Sequence, residues 1–229
     1  MSETPRQLVF ELPHRAALGA EDFLVSPANA AAVAIVDQWP NWPHWGVLVV
    51  GPEACGKSHL ANVWRFKSGA NIVQAGQLDE ALIDRFHETR AIVVDDLAPG
   101  VADERILFHL LNLARQEKYS ILLNSRVASQ GLNVALPDLR SRLGALPVVQ
   151  IEPPDEMLLQ ALLVKLFSDR QLSVDPSLIQ YLAVRIDRSA HSASQIVETI
   201  DRLALETHRK VSRSLANTAL EKLLADGST

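Results

Sequence analysis

The sequence lacks the features that mark secreted and membrane-bound proteins. Its 229 residues include one cysteine, Cys55, so no disulfide can form within the chain, which is typical of a reducing compartment. No stretch approaches the roughly 20 consecutive apolar residues of a membrane span. The N-terminal residues carry charges and prolines and lack the apolar segment of a signal peptide. We therefore expect a cytoplasmic protein with no membrane partner.

A surplus of positive charge is also missing. The net charge is −5 and the sequence pI is about 5.8, whereas a protein that coats nucleic acid presents a basic face. We therefore expect contact with DNA only through a partner. Since 48% of the residues are hydrophobic, the chain can bury a large core, alone or beside a small second domain.

The most informative segment follows the apolar run Val47–Val50. It reads GPEACGKS and fits the phosphate-binding pattern G-x-x-x-x-G-K-[ST], in which a buried strand turns into a helix. Main-chain N–H groups of such a loop can surround a di- or triphosphate. The alternative is a glycine-rich turn that caps a helix. The predicted nucleotide-binding residues of the loop are Gly51, Pro52, Glu53, Ala54, Cys55, Gly56, Lys57 and Ser58.

Two residues of this loop have distinct predicted roles. Lys57 would reach the terminal phosphates, and the Ser58 hydroxyl would be a ligand of Mg²⁺. We expect Lys57 to be an exposed residue whose charge serves the phosphates rather than a contact with the core.

Apolar runs alternate with helical patterns after this loop, which predicts an α/β fold with a mostly parallel sheet. From Pro153 onward only helical patterns remain. We therefore expect a tail at 1–20, a nucleotide-binding core at 21–152 and a four-helix region at 153–229. Within the core, Ser26 and Pro27 predict the start of a helix, with Ser26 as its N-cap.

The run Val93-Val94-Asp95-Asp96 predicts the second half of a nucleotide-hydrolysing site. We expect its strand to lie next to the strand that precedes the phosphate loop. Asp95 would then face Mg²⁺, and Asp96 would polarise the attacking water. An ordinary strand end with two acids is the alternative, but the position of Asp95, 38 residues beyond Lys57 (95 − 57), favours the site.

Several segments occur in the order seen in the DnaA replication-initiator family of AAA+ proteins, which the chain resembles from about residue 20 to its end. They are FLVSPAN at 23–29, GPEACGKSHL at 51–60, VVDD at 93–96, PDLRSRL at 137–143 and EPPD at 152–155. The resemblance implies a P-loop AAA+ core with a C-terminal four-helix lid subdomain, and ADP or ATP with Mg²⁺ as cofactors. The chain ends where the lid ends, so we expect no origin-binding domain.

The resemblance also implies roles for further residues. Phe23, Asn29 and His59 would lie beside the nucleotide. Asn124 falls where AAA+ proteins place a polar sensor of the terminal phosphate, with Ser125 as the competing candidate. The family's lid carries an arginine where this chain has Ser194, so its own hydrolysis would be weak. Arg188 and His191 are candidate substitutes for that arginine.

Arg142 matches the family's arginine finger, a guanidinium that acts on nucleotide bound to a neighbouring subunit. Arg140 is the nearest alternative. The neighbour would be the initiator DnaA, or a second copy of this chain in a homo-oligomer. A finger of this kind stabilises the charge that develops in phosphoryl transfer.

The N-terminal run Gln7-Leu8-Val9-Phe10-Glu11-Leu12 resembles the peptide with which proteins bind the DNA polymerase sliding clamp. In an extended chain Leu8, Phe10 and Leu12 share one face, while Gln7 offers an amide to a polar subpocket. The alternative is an edge strand of the protein's own sheet.

These patterns predict a regulator that docks on the clamp and promotes ATP hydrolysis by the initiator. Two alternatives stay open at this point. One is an ATPase that loads a helicase or assists transposition on single-stranded DNA. The other is an adaptor that is tethered to the clamp and contributes nothing to catalysis.

Overall fold

The computed structural model describes residues 14–15 and 23–226, with side chains from 24 to 225. These residues belong to two compact units, which meet in the chain between Glu152 and Pro153.

The first unit contains a five-stranded parallel sheet and confirms the predicted α/β fold. Ahead of it, the short strands β1 (His14–Arg15) and β2 (Phe23–Leu24) pair in antiparallel fashion. The sheet strands are β3 (Gly46–Val50), β4 (Asn71–Gln74), β5 (Ala91–Asp95), β6 (Ser120–Ser125) and β7 (Val148–Gln150). The helices are α1 (Ala30–Gln38), α2 (Lys57–Ser68), α3 (Ala81–Thr89), α4 (Glu104–Glu117) and α5 (Pro137–Gly144).

The strand order is β4-β5-β6-β3-β7, which corrects the expectation that β5 lies next to β3. Strand β6 lies between them and pairs with both. Burial explains the order: β3, β5 and most of β6 are buried throughout, whereas β4 and β7 are partly exposed and form the edges. The order of the strands in the sheet cannot be predicted from their order in the sequence.

Alternate residues of the central strands enter two separate hydrophobic clusters. Leu48 and Val50 of β3 belong to one cluster, and Val47 and Val49 belong to the other. Since successive side chains of a strand point to opposite faces, the sheet is covered on both sides. This packing fixes the carboxyl ends of β3, β5 and β6 at one edge.

The second unit consists of α6 (Glu156–Asp169), α7 (Pro176–Ala183), α8 (Ala190–Thr207) and α9 (Arg213–Asp226). It has a hydrophobic cluster of its own, which includes Leu159, Phe167 and Ile196. Helix α7 ends at Ala183, and the next helix starts at Ala190, where the Ser189 side chain caps its N-terminus by accepting from the Ser192 amide. None of the helices in the described residues is long and apolar enough to cross a membrane.

Candidate functional site

The phosphate loop joins β3 to α2, and its two glycines hold it in shape. The Gly51 amide donates to the Ser125 carbonyl at 3.2 Å, which ties the loop to the end of β6. A Cβ at Gly51 would lie 2.4 Å from the Ile151 carbonyl oxygen, so no side chain fits there. Gly56 has a φ of 108°, in the region that favours glycine. The loop therefore requires glycine at both positions.

Lys57 lies inside this loop and is not exposed as the sequence suggested. It is only 8% exposed, and its Nζ donates to the carbonyls of Gly51 at 2.8 Å and Pro52 at 2.6 Å. The side chain is thus folded back over the loop, and its ammonium group is hydrogen-bonded to the loop's own main chain.

Cys55 lies beside this ammonium group, with its Sγ 3.8 Å from Lys57 Nζ. Burial raises the pKa of the Cys55 thiol, and the positive charge of Lys57 opposes that shift. The thiol is therefore largely protonated at neutral pH.

Ser58, Asp95 and Asn124 form a hydrogen-bonded group where the ends of β5 and β6 meet the start of α2. The Ser58 hydroxyl donates to Asp95 Oδ2 at 2.8 Å, and Asn124 Nδ2 donates to Asp95 Oδ1 at 2.9 Å. Asn124 is fully buried, and its Oδ1 has no partner among the described residues. Asn124 therefore positions Asp95. The contact forms because β6 lies beside β5, and the sequence did not indicate it.

The oxygen atoms of this group are better suited to bind Mg²⁺ than to bind a metal ion whose ligands all come from the protein. Ser58 and Asp95 supply oxygens, and the described residues contain no group of three or more His, Cys, Asp or Glu side chains arranged for a metal. Mg²⁺ usually takes one or two protein oxygens, together with phosphate oxygens and water. These two residues are the ones that would hold it.

Asp96 turns outward after β5, with a φ of 55°. Its carboxylate pairs with Arg126, whose guanidinium also reaches Glu53 in the phosphate loop. None of the sequence motifs described above includes Arg126. The signal that would have found it is its position directly after β6, at the same sheet edge as Asp95 and Asp96.

Asn29 uses its side chain within its own turn. Its Oδ1 accepts from the Ser26 amide and its Nδ2 donates to the Leu24 carbonyl, both at 2.9 Å. For this reason α1 begins at Ala30, with Asn29 rather than Ser26 at the N-cap position. Of Phe23 only the backbone is described. His59 lies half-buried in the first turn of α2.

The two arginines of α5 differ in their surroundings. Arg140 donates a hydrogen bond to the Val134 carbonyl of its own chain. The side chain of Arg142 is half-buried and forms no hydrogen bond or ion pair with any residue in the described part of the chain. Arg142 thus has donors to offer to a second molecule, whereas Arg140 has a partner within its chain.

The remaining predicted residues divide between the helical unit and the N-terminal segment. Ser194 is half-buried in α8, and Arg188 and His191 are exposed. Ser125 is buried, and its hydroxyl accepts from the Val127 amide. The predicted clamp-binding residues Gln7, Leu8, Phe10 and Leu12 lie outside the residues that the structure describes.

No protein-family model matches the sequence. The chain is 23% identical over 222 residues to the chromosomal replication initiator protein DnaA of Cutibacterium acnes, covering 87% of this chain and 44% of the relative. With DnaA of Thermomicrobium roseum it shares 24% identity over 228 residues, covering 88% and 49%. The chain thus spans less than half the length of these two relatives.

Solved structures share the fold. Domain III of Thermotoga maritima DnaA superposes with a TM-score of 0.74 at 18% identity, over 87% of this chain and 94% of that one. AMPPCP-bound DnaA from Aquifex aeolicus gives 0.65 at 18% identity, over 80% and 65%. The RuvB branch migration motor of Thermotoga maritima gives 0.64 at 15% identity, over 86% and 67%. The fold is therefore shared with domain III of DnaA and with RuvB, and the sequence is similar to part of DnaA.

Proposed function

We propose that this chain is a DnaA-related AAA+ regulator of replication initiation that resembles Hda, the inactivator of DnaA that works with the sliding clamp. In this proposal it binds an adenine nucleotide with Mg²⁺ at residues 51–58 and docks on the clamp. It then supplies Arg142 to nucleotide held by DnaA. The sequence similarity to DnaA and the likeness to an AMPPCP-bound DnaA support the choice of partner and of nucleotide.

The loop geometry supports nucleotide binding. Lys57 donates to two main-chain carbonyls, and a phosphate oxygen is a stronger acceptor because the hydrogen bond is then charge-assisted on both sides. Ser58 and Asp95 already lie together, so they need little rearrangement to hold Mg²⁺. When bound, the ion neutralises negative charge on the phosphates.

The state of Arg142 is the observation that carries the proposal. A half-buried guanidinium with no partner in the described part of its chain is available to another molecule. An arginine presented in trans to a transferring phosphoryl group contributes about 10³–10⁵ in rate. In this proposal the chain acts mainly by supplying one catalytic residue to its partner, rather than as an enzyme itself.

Docking on the clamp rests on the sequence of residues 7–12. Its alternating apolar side chains and its leading glutamine fit a peptide that adds to an exposed strand or groove of a partner. The clamp would bring the chain to DNA, since the net charge of −5 does not favour direct binding to DNA.

The test is ATP hydrolysis by purified DnaA with the wild-type protein, in reactions with and without clamp loaded on DNA. We expect faster hydrolysis only when the chain and the loaded clamp are both present. Binding to the clamp with no change in rate would instead identify a non-catalytic adaptor. If single-stranded DNA without the clamp stimulated ATP hydrolysis by this chain itself, the result would favour the helicase-loader alternative.

A further inference from the structure

Two guanidinium groups of the helical unit lie against the ring of one tyrosine. The Cζ atom of Arg185 is 3.7 Å from the centre of the Tyr181 ring, and that of Arg213 is 4.2 Å from it. The two Cζ atoms are therefore at most 7.9 Å apart (3.7 + 4.2). The Tyr181 hydroxyl also donates to Asn217 Oδ1, so this ring joins α7 to α9 and holds the two arginines together.

Neither guanidinium has a carboxylate partner. Both side chains are exposed, and neither forms an ion pair with any residue between 24 and 225. Asp187, which follows Arg185 by two residues, is not within ion-pair distance of either arginine. Two like charges at this separation repel each other, since the Debye length is about 8 Å at physiological ionic strength. An anion bound between them would relieve that repulsion.

Two further cations lie close to this pair. Arg209 and Lys210 precede Arg213 by four and three residues, so their Cα atoms lie within about 15 Å of its Cα. Both are exposed, and neither forms an ion pair in the part of the chain that the structure describes. The sequence contains no Asp or Glu from 208 to 220. We call the four cations the basic patch: Arg185, Arg209, Lys210 and Arg213.

We propose that the basic patch binds the phosphate backbone of duplex DNA. Arginine and lysine, with serine and asparagine beside them, are the side chains that contact DNA phosphates, and the planar fork of a guanidinium matches a phosphate group. Ser212, Ser214 and Asn217 are exposed polar residues of the same stretch. The inference uses no residue of the phosphate loop, and it does not depend on Arg142, on DnaA or on the clamp.

The surroundings of the patch favour a duplex over a single strand. Proteins that bind single strands stack the bases on exposed aromatic rings. The sequence from 153 to 226 has two aromatic residues, Phe167 and Tyr181. Phe167 is fully buried, and Tyr181 is half-buried with two guanidinium groups against its ring. The described residues of this unit therefore offer no free ring on which bases could stack.

The same surroundings favour DNA over an acidic protein. The centre of a protein–protein interface is apolar and depleted of charge. The large apolar side chains from 208 to 220 are buried or half-buried, whereas the cations are exposed. They are Val211, Leu215 and Leu220. This surface thus lacks the apolar centre that a protein partner would need.

The net charge of the whole chain limits how tightly the patch can bind. At −5 it opposes long-range attraction to DNA, so we expect weak binding by the isolated protein. A weak contact becomes effective when a partner holds the chain beside DNA, because tethering raises the effective concentration. The patch thus adds a direct contact to the indirect one that the sequence predicts.

The test is the fluorescence anisotropy of labelled DNA, as a duplex of mixed sequence and as one of its strands, from about 50 to 200 mM salt. We expect Arg185→Ala combined with Arg213→Ala to bind the duplex at least about tenfold more weakly at low salt, because charge-assisted hydrogen bonds are lost. The slope of log affinity against log salt should become shallower by about 1.8, or about 0.9 for each lost phosphate contact.

Two further double variants serve as controls. Arg185→Lys combined with Arg213→Lys keeps both charges and should keep the slope, since counterion release depends on charge. Arg105→Ala combined with Arg115→Ala removes the same charge from exposed positions on α4 and should leave duplex binding nearly unchanged. Circular dichroism melting checks that each variant is folded.

The inference has several ways to fail. An unchanged slope in the first double variant, tighter binding of the single strand than of the duplex, or no binding by the folded wild-type protein at low salt would overturn it. If that variant lost binding to purified DnaA or clamp but kept the duplex, the patch would be a site for an acidic protein, which also overturns it. Titration of ATP and ADP on the same variants measures the nucleotide site separately and should show no change.

Discussion

Lys57 lies inside the phosphate loop, and its ammonium group donates to two main-chain carbonyls. We predict that Lys57→Met lowers ATP and ADP affinity by at least about tenfold, since each lost charge-assisted hydrogen bond is worth about 1.5–3 kcal/mol. Lys67→Met is a matched control, because Lys67 also donates to two main-chain carbonyls, those of Val36 and Asp37, outside the loop. Titration calorimetry measures both variants. Unchanged affinity in Lys57→Met would remove the site assignment.

Cys55 provides a second test within the loop. Because burial raises the pKa of its thiol, the reactive thiolate is scarce at neutral pH and increases only as the pH rises through the raised pKa. We predict that iodoacetamide alkylates Cys55 more slowly than free cysteine at pH 7.5, and that the rate still climbs above pH 9. Mass spectrometry reads one site, since the sequence has a single cysteine. Labelling as fast as that of free cysteine at pH 7.5 would contradict this account.

The sequence identifies the residues of the phosphate loop better than it identifies residues whose hydrogen-bond partners are far away in the chain. The glycine, lysine and serine positions of the phosphate loop follow from a local pattern with a fixed spacing. The role of Asn124 depends on β6 lying beside β5, which no local pattern states. Arg126 was missed for the same reason, because its partners Glu53 and Asp96 are 73 and 30 residues away in the chain.

At the scale of elements, α5 is held by a residue of α4. The Glu104 carboxylate accepts hydrogen bonds from the amides of Ala135 at 2.8 Å and Leu136 at 2.7 Å, at the start of α5. A negative charge at a helix N-terminus is stabilising because it satisfies free N–H groups and opposes the helix dipole. Glu104 therefore fixes the helix that carries Arg142.

We predict that Glu104→Ala lowers the free energy of unfolding by about 1 kcal/mol, as the loss of a helix cap does. It should also reduce stimulation of DnaA hydrolysis while leaving nucleotide affinity unchanged, because Arg142 loses its fixed position. Chemical denaturation and the hydrolysis assay provide the two measurements. Glu117→Ala, at the exposed end of the same helix, is the control and should change neither value.

The sheet shows where element-level prediction succeeds and where it stops. Apolar runs locate β3 to β7, because each strand buries consecutive side chains or packs against helices. The order of the strands depends on which of them bury both faces, and this is a property of the assembled sheet. The start of α1 was misplaced because Asn29 bonds back to Ser26 and Leu24, which makes residues 26–29 a turn.

At the scale of the whole molecule, the chain divides after Glu152 into a sheet unit and a helical unit with separate hydrophobic clusters. The Pro153-Pro154 pair and the loss of strand patterns predict such a change. The relatives are about twice as long as the part of them that this chain matches. The similarity therefore concerns only the part of DnaA that this chain matches.

The clamp-binding segment gives a prediction at this scale. We predict that Gln7→Ala combined with Leu8→Ala abolishes binding to purified clamp while the melting temperature stays almost unchanged, because terminal residues contribute little to the stability of most domains. A control with Glu3→Ala and Thr4→Ala alters the same terminus outside the motif and should bind normally. Retained binding in the first double variant would argue that the protein reaches the clamp by another surface.

The central claim is that Arg142 acts on nucleotide bound to another protein. The direct measurement is phosphate release from ATP-loaded DnaA, with clamp and DNA, in the presence of Arg142→Ala or Arg140→Ala. Only interactions that are stronger in the transition state than in the ground state accelerate a reaction. We therefore expect Arg142→Ala to bind nucleotide and clamp normally yet leave hydrolysis at the rate of DnaA alone, while Arg140→Ala keeps most of the stimulation. Full stimulation by Arg142→Ala would contradict the account and transfer the role to Arg140.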